Sequence, residues 1–471
     1  MTAISKSKWL IALLLFAAFG TASAQQEYRL SVTEAVDLAL KNVADLKNLR
    51  LDSARQVALN REVTGMALPQ VSGSAQVAHY LTLPKILFPN TGETSIYTVL
   101  NKEGVKDGNG NVIQPKQDFQ IQEFSFVQPW SIQAGISMNQ LLFQPEVFVG
   151  LLARKTLIDF AQGNIRVGED KVREQVYKAY YQVLLSEQQL TILQQTIQRF
   201  EKLLNDQQQM FKNGFIEKLD IDKSTVAINN LKANETQLKN FVELGYAALK
   251  FAMAINQKDK LVLTDKLTDE KIKENILDDG QFTYENRSEV RLLNTAKKLN
   301  EIDIRRYKLG YAPTLAFFYQ FQQQGQLNKN FSAFTGQNWF WFNSNLVGLN
   351  LTVPLFDGLQ RQQKIKQAQI SLEKTKNTME QVKQGIDLEQ TISKTNLRNA
   401  LLTLDAQKRN LELAEQVYRT TRKKYEQGTG SSFEVLQADT EWQRANGNYF
   451  EAMYNAVVAK INYLKSIGQL K

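Results

Sequence analysis

The chain has 471 residues, no cysteine, one histidine, 43% hydrophobic and 22% charged residues, and a formal net charge of +9. Without cysteine there is no disulfide framework, thiolate zinc site, iron–sulfur cluster, thiol nucleophile or lipid-modified N-terminal cysteine. A single histidine, His79, excludes histidine-rich metal sites and histidine pairs. The length by itself suggests about three domains of roughly 150 residues. The 8 prolines lie between Pro69 and Pro145 or at Pro313 and Pro354, which leaves most of the chain free to form long helices.

At the N-terminus, Lys6 and Lys8 precede an apolar run from Trp9 to Phe19, followed by Ala22, Ser23 and Ala24. This order predicts a secretory signal peptide over residues 1–24, since the apolar run is far shorter than the ~20 residues that span a bilayer. Its removal takes away two lysines and lowers the net charge from +9 to +7. No other window is apolar enough for a spanning helix, so a place in a membrane requires a β-barrel, the other structure that satisfies its own backbone in lipid.

Comparing the chain with itself exposes a duplication. The segment starting NVADLKNLRLDSARQ at Asn42 aligns with NRSEVRLLNTAKKLN at Asn286, an offset of 244. GISMNQLLF at Gly135 aligns with GLNLTVPLF at Gly348, an offset of 213, and the segment around Gly214 aligns with that around Gly428 at 214. The offset falls once, between residues 81 and 128, which marks an insertion in the first copy. The expected domains are a leader over 1–24, a first repeat over 25–260, a connector over 261–280 and a second repeat over 281–471. Each repeat reads helix, strand, loop, strand, long helix, turn, helix.

The strands show a period of two over about ten residues. Val71, Ala75 and Val77 alternate with Ser72, Ser74 and Gln76; Trp130, Ile132, Ala134, Ile136 and Met138 alternate with Ser131, Gln133, Ser137 and Asn139. The second copy offers Leu315, Phe317, Tyr319 and Phe321, then Val347, Leu349, Leu351 and Val353. Small uncharged residues on the polar face, and aromatics at the ends (Phe124, Phe126, Trp130, Trp339, Phe340, Trp341 and Phe342), point to a transmembrane barrel with an interfacial girdle. Four strands cannot close around a channel and an open edge is not tolerated in lipid, so several chains must contribute. Three would give 12 strands and an open lumen; closure alone also admits four chains.

Past Pro145 no proline interrupts the chain to Lys212, nor from Gly358 to Gln427. Seventy helical residues extend roughly 100 Å, and such helices need lateral partners. Ile365, Ala368, Leu372, Thr375, Met379, Val382 and Ile386 recur at spacings of three and four, as do Leu190, Leu193, Ile197, Phe200 and Leu204, which predicts coiled-coil packing. Asn213–Gly214 and Gly428–Thr429–Gly430 end the two long helices, as glycine does at helix C-termini. Further helices follow through Asp220–Ile255 and Glu434–Ile467. In the connector, LVLTDKL from Leu261 predicts a small strand, and Asp278 and Asp279 before a glycine predict a turn.

These residues resemble the TolC-like outer membrane efflux protein family. The carrying motifs are LSVTEAVDLALKN at Leu30, LPQV at Leu68, LTVPLFDG at Leu351, and the paired turns FKNGFIEKLDIDKS and YEQGTGSSFEVLQAD. The resemblance implies a mainly α protein with four strands per chain, completing a trimeric 12-stranded outer-membrane barrel that continues as a periplasmic α-helical coiled-coil barrel. It implies docking of a periplasmic adaptor, linked to an inner-membrane pump, at the turns: Gly214, Phe215, Asp220, Gly428, Gly430 and Phe433. It also implies a periplasmic gate at Asp220, Tyr425, Glu434 and Gln437. The chain departs from the pattern twice: Gln437 stands where well-studied members carry a second acid, and Gly430 where they carry a gate arginine. Apart from the resemblance, Asp220 and Glu434 are equally first-turn acids that favour the positive end of a helix dipole.

Neither phosphate-binding glycine loops nor nucleophile elbows occur, and no cofactor or enzymatic activity is expected. Charge concentrates on residues 357–430, with 14 basic and 9 acidic residues; Arg422, Lys423 and Lys424 there are either a solvated face or an adaptor contact, and nucleic acid is not an expected partner. The expectation is an outer-membrane exit duct of a tripartite efflux or type I secretion system, its cargo (small molecule, polypeptide or metal ion) chosen upstream. The rival is a soluble periplasmic coiled-coil adaptor or scaffold, which places the alternating segments in a water-soluble sheet.

Overall fold

The structure is a computed structural model, and it describes residues 27–90, 92–115, 120–274, 282–327 and 339–470. The expected leader, Asp278, Asp279 and the loop after Leu327 lie outside the described residues. In chain order the elements are β1 (Glu27–Leu30), α1 (Val32–Asn42), α2 (Ala44–Met66), β2 (Gln70–His79), β3 (Ile86–Asn90), α3 (Gly92–Lys102), β4 (Gln120–Phe124) and β5 (Trp130–Phe143). There follow α4 (Pro145–Lys212), α5 (Lys218–Ala252), β6 (Lys260–Leu263), α6 (Asp269–Lys273), α7 (Ser288–Leu309), β7 (Thr314–Leu327), β8 (Trp339–Thr352), α8 (Gln360–Glu426) and α9 (Ser432–Ser466). The order helix, strand, strand, long helix, shorter helix thus occurs twice, as α2-β2-β5-α4-α5 and as α7-β7-β8-α8-α9.

The long helices have 68 and 67 residues. Pro145 opens α4, where a missing N–H costs nothing. α8 opens later than Gly358 because Gly358 and Leu359 are both left-handed, at φ 65° and 66°, and Asp357 Oδ2 accepts from the Arg361 N–H at 3.2 Å. All seven positions of the predicted α8 seam, from Ile365 to Ile386, are buried or half-buried.

Two compact units are present. The first comprises the chain up to Ala58, Ala153–Asp303 and Lys366–Lys471. Its core gathers Val36 and Ala39 of α1, Val176, Tyr180 and Val183 of α4, Leu249 of α5, Leu404 of α8 and Ala456 of α9. The strand predicted at Leu261 forms, and it pairs in parallel with β1, Tyr28 opposite Leu261; β1 was not expected, because four residues are too few to display a period. Tyr180 Oη donates to the Leu30 carbonyl at 3.0 Å, and Asp265 Oδ2 accepts from the Val32 N–H at 2.7 Å. Arg287, its side chain 6% exposed, pairs with Glu389 at 2.9 Å and Glu289 at 3.1 Å.

The second unit comprises Leu59–Leu152 and Ile304–Ile365. It holds an antiparallel sheet in the order β2-β5-β7-β8. β2 has ten residues and each of the others fourteen, and none of these is Asp, Glu, Lys or Arg. Three strands are thus longer than the expected ten, since their glutamine-rich or uniformly apolar ends carry no alternation. β8 stops one residue short of Val353, next to Pro354, which lacks a ladder donor. The insertion carries structure of its own: α3 and an antiparallel ribbon of β3 and β4, with Ile86 opposite Phe124.

Register corrects the aromatic girdle. Trp130, Trp339 and Trp341 lie on the face that carries Ile132, Ile136, Phe321 and Val347, whereas Phe340 and Phe342 lie on the polar face. Successive residues of a strand point to opposite sides, so the run Trp339–Phe342 cannot serve one face. Phe124 and Phe126 belong to the ribbon region instead, packing around Phe88 at 6.2 and 5.9 Å between centroids. His79 ends β2 on the apolar face, its ring 4.1 Å from that of Trp130. Among the described residues no helix is long and apolar enough to cross a membrane.

Candidate functional site at the hairpin turns

Both turns lie in the first unit and share one geometry. Gly214 has φ +75° and Gly428 φ +74°. Gly214 N–H donates to Phe211 O and Phe215 N–H to Met210 O, both at 2.9 Å; Gly428 N–H donates to Tyr425 O at 3.0 Å and Thr429 N–H to Lys424 O at 2.9 Å. This is the glycine-centred closure that satisfies the last carbonyls of a helix. A Cβ at either glycine would meet nothing within 4 Å, so the requirement for glycine is one of backbone conformation, not of space. Gly430 is the opposite case: its φ is ordinary, but a Cβ there would lie 3.2 Å from Lys424 Cβ and from the Tyr425 nitrogen.

The second helices then place the acids. Asp220 lies in the first turn of α5 and Glu434 in that of α9. Ser431 caps α9, its Oγ accepting from the Glu434 N–H at 3.2 Å, whereas Glu217 makes no side-chain cap for α5. Both acids thus occupy the position that favours a helix dipole, and Asp220 does more. It is half-buried and its Oδ1 accepts from Ser432 Oγ at 2.9 Å, joining the first hairpin to the second. Lys223 Nζ stands 5.3 Å over the Phe433 ring, a second contact between the hairpins. Glu434, Gln437, Phe215 and Phe433 are exposed. Tyr425 is half-buried, its hydroxyl 3.8 Å from Met210 Sδ. Burial pushes the Tyr425 phenol up; Gln207 opposes this, and Asp220 and Asp206 add to it. Arg422 is paired with Glu426 at 2.9 Å, while Lys423 and Lys424 are exposed.

Farther along α9 from the turn is a polar layer that sequence reasoning missed. Asp439 is 1% exposed, its Oδ1 has no hydrogen-bond partner, and burial pushes its carboxyl up to about 7 against the opposing charge of Arg199. Arg199 lies 4.7 Å over the Trp442 ring, which stacks on Tyr418 at 5.0 Å. Arg199 Nη2 and Gln443 Nε2 both donate to Thr196 Oγ1 at 2.7 Å. The available signal was spacing: Asp439 follows Val435 by four and precedes Trp442 by three, on the buried stripe of α9.

Known proteins resemble this chain in sequence and in fold. The model of the outer membrane efflux protein family matches residues 299–469. The outer membrane protein TolC of Vibrio cholerae is 21% identical over 344 residues, 72% of this chain and 77% of that protein. TolC of Salmonella enteritidis is 20% identical over 394 residues, 82% of this chain and 75% of that protein. The C-terminal part of the chain thus matches the outer membrane efflux protein family, and most of its length is similar to TolC proteins. The fold agrees: the CmeC outer membrane channel of Campylobacter jejuni superposes with a TM-score of 0.65 at 13% identity, covering 93% of this chain and 85% of that one. These similarities support an outer-membrane efflux channel with a mainly helical fold, and they favour that reading over a soluble scaffold.

Proposed function

We propose that this TolC-like channel is the exit duct of a tripartite assembly, formed by three copies of the chain around one 12-stranded barrel. The sheet carries this reading. Its strands contain no Asp, Glu, Lys or Arg, one face is apolar, and its outer strands β2 and β8 each have a single neighbour. Unpaired edges are costly in lipid, and joining β8 of one copy to β2 of the next removes every edge at once. Twelve strands leave a lumen, where eight are only just filled by side chains. The repeats over 25–260 and 281–471, with their connector over 261–280, would each supply two strands and one hairpin per copy.

The turns would be the periplasmic end, where an adaptor tied to an inner-membrane pump docks on Gly214, Phe215, Gly428, Gly430 and Phe433. Exposed Phe215 and Phe433 supply apolar anchors there. Asp220, Tyr425, Glu434 and Gln437 would form the gate, with Ser432 taking the latch role that Gly430 cannot fill. The strands carry no charge with which to sort ionic cargo, so that selection falls to the upstream partners.

The absence of cysteine makes the test clean. Cysteine pairs scanned along β2 and β8 should yield a covalent ladder ending at three chains on a non-reducing gel. A ladder ending at two or four, or none from a folded protein at any register, rules out the trimeric barrel.

A further inference from the structure

The polar face of the sheet has a composition that efflux alone does not require. Register places Gln76, Gln133, Gln324 and Phe342 side by side in one row across all four strands. In the next row toward the end of β7, Gln326 lies opposite Phe340. Neighbours within a row stand about 4.8 Å apart and successive rows about 7 Å apart. Each glutamine offers a donor pair and an acceptor, while the two phenyl rings are 68% and 49% exposed. No charge is available on the face to hold a metal ion or a polyanion.

We infer that this face is a weak binding belt for uncharged, hydroxyl-rich solutes of the oligosaccharide class, with Gln133 and Gln324 hydrogen-bonding and Phe340 and Phe342 stacking. Hydroxyl groups exchange water for amides without loss of hydrogen bonds, and the C–H faces of sugar rings cover exposed phenyl surface that water solvates poorly. A neutral wall adds no electrostatic preference. The inference rests on the closed-barrel reading, in which the apolar face meets lipid, the polar face lines the lumen and the belt recurs once per copy.

The test uses the full-length protein in planar bilayers, with maltohexaose as probe and a polyethylene glycol of the same hydrodynamic size as control. Maltohexaose should produce saturable current block with excess noise, and the polymer only a proportional reduction. Phe342→Ala and Gln324→Ala should each raise the half-blocking concentration about fivefold or more. Gln324→Glu should shift the reversal potential toward cations, because the position faces the pore. Equal effects of sugar and polymer, unchanged half-blocking concentrations in both alanine variants, or an unmoved reversal potential overturns the belt. A folded protein that never conducts overturns the channel reading instead, and the belt falls with it.

Discussion

Ser432 Oγ donates to Asp220 Oδ1 at 2.9 Å across 212 positions of chain, and so ties the first residue of α9 to the first turn of α5. A hydrogen bond to a charged acceptor contributes about 1.5–3 kcal/mol, and this half-buried one belongs at the lower end. Ser432→Ala should therefore loosen the two hairpins without unfolding the protein. In bilayer recordings its mean conductance or open fraction should rise severalfold, with a smaller rise for Asp220→Asn, whose amide oxygen still accepts. Currents identical to the parent in both variants would remove this pair from the gate.

Gly428→Val and Gly214→Val place a β-branched residue at φ near +75°. Space is free around both positions, so the cost is conformational, about 1–2 kcal/mol per turn. Limited proteolysis should cut at residues 211–217 or 427–431 while the thermal midpoint stays within a few degrees. Asparagine, which tolerates the left-handed region, should be intermediate. A midpoint lowered as much as by a core truncation would show that the turns govern global folding instead.

Asp439 makes a pH prediction whose sign is determined by burial. Its carboxyl rises from an ordinary 3.8 to about 7 in the folded protein. The stabilisation linked to its proton is complete below about 3.8 and is lost as pH rises through 7. Arg199 from α4 faces it, Asp222 and Lys223 of α5 and Arg444 of its own helix line the neighbouring cleft, and Tyr418 of α8 closes the layer through Trp442. Intrinsic-rate-corrected hydrogen exchange at residues 435–446 should accelerate between pH 5 and 8. In Asp439→Asn, which mimics the protonated acid, the protection should stay flat; a parallel pH response in both proteins would contradict it.

Arg287→Ala should be the most damaging single change among these. Its guanidinium also donates to the Ser466 carbonyl at 3.1 Å, and removing it leaves Glu389 and Glu289 without their cation. Breaking a fully buried pair costs about 3–5 kcal/mol, and because both carboxylates here are about one-third exposed the cost belongs below that range. Although burial alone would raise the Glu289 carboxyl, the Arg287 hydrogen bond and charge hold it below its usual range. This contribution is present at neutral pH and lost as pH falls through that lowered value. Circular dichroism melts should show a clear drop for Arg287→Ala at pH 7, a smaller one for Arg287→Lys, and a narrower gap among the three in acid, where only the bond to the Ser466 carbonyl still separates them.

Much of the fold was legible because it is written in short periods. The seam from Ile365 to Ile386 and the alternation in β2 and β5 need only neighbours in sequence to be read, and Gly214 and Gly428 announce helix ends by their own stereochemistry. β1, β3 and β4 escaped because four or five residues cannot establish a period. Phe340 and Phe342 were misplaced because aromatic content was read without pleat.

By itself the sequence determined the duplicated element order, the two long helices and the glycine turns, since these depend on local conformational preference and hydrophobic period. Which distant groups meet was decided only by tertiary structure. The bond between Ser432 and Asp220, the burial of Asp439 beside Arg199, and the row from Gln76 to Phe342 each join residues far apart in sequence. Their energetics depend on desolvation and on hydrogen-bond distances of about 3 Å, and neither quantity exists until the helices have packed and the strands have taken their register.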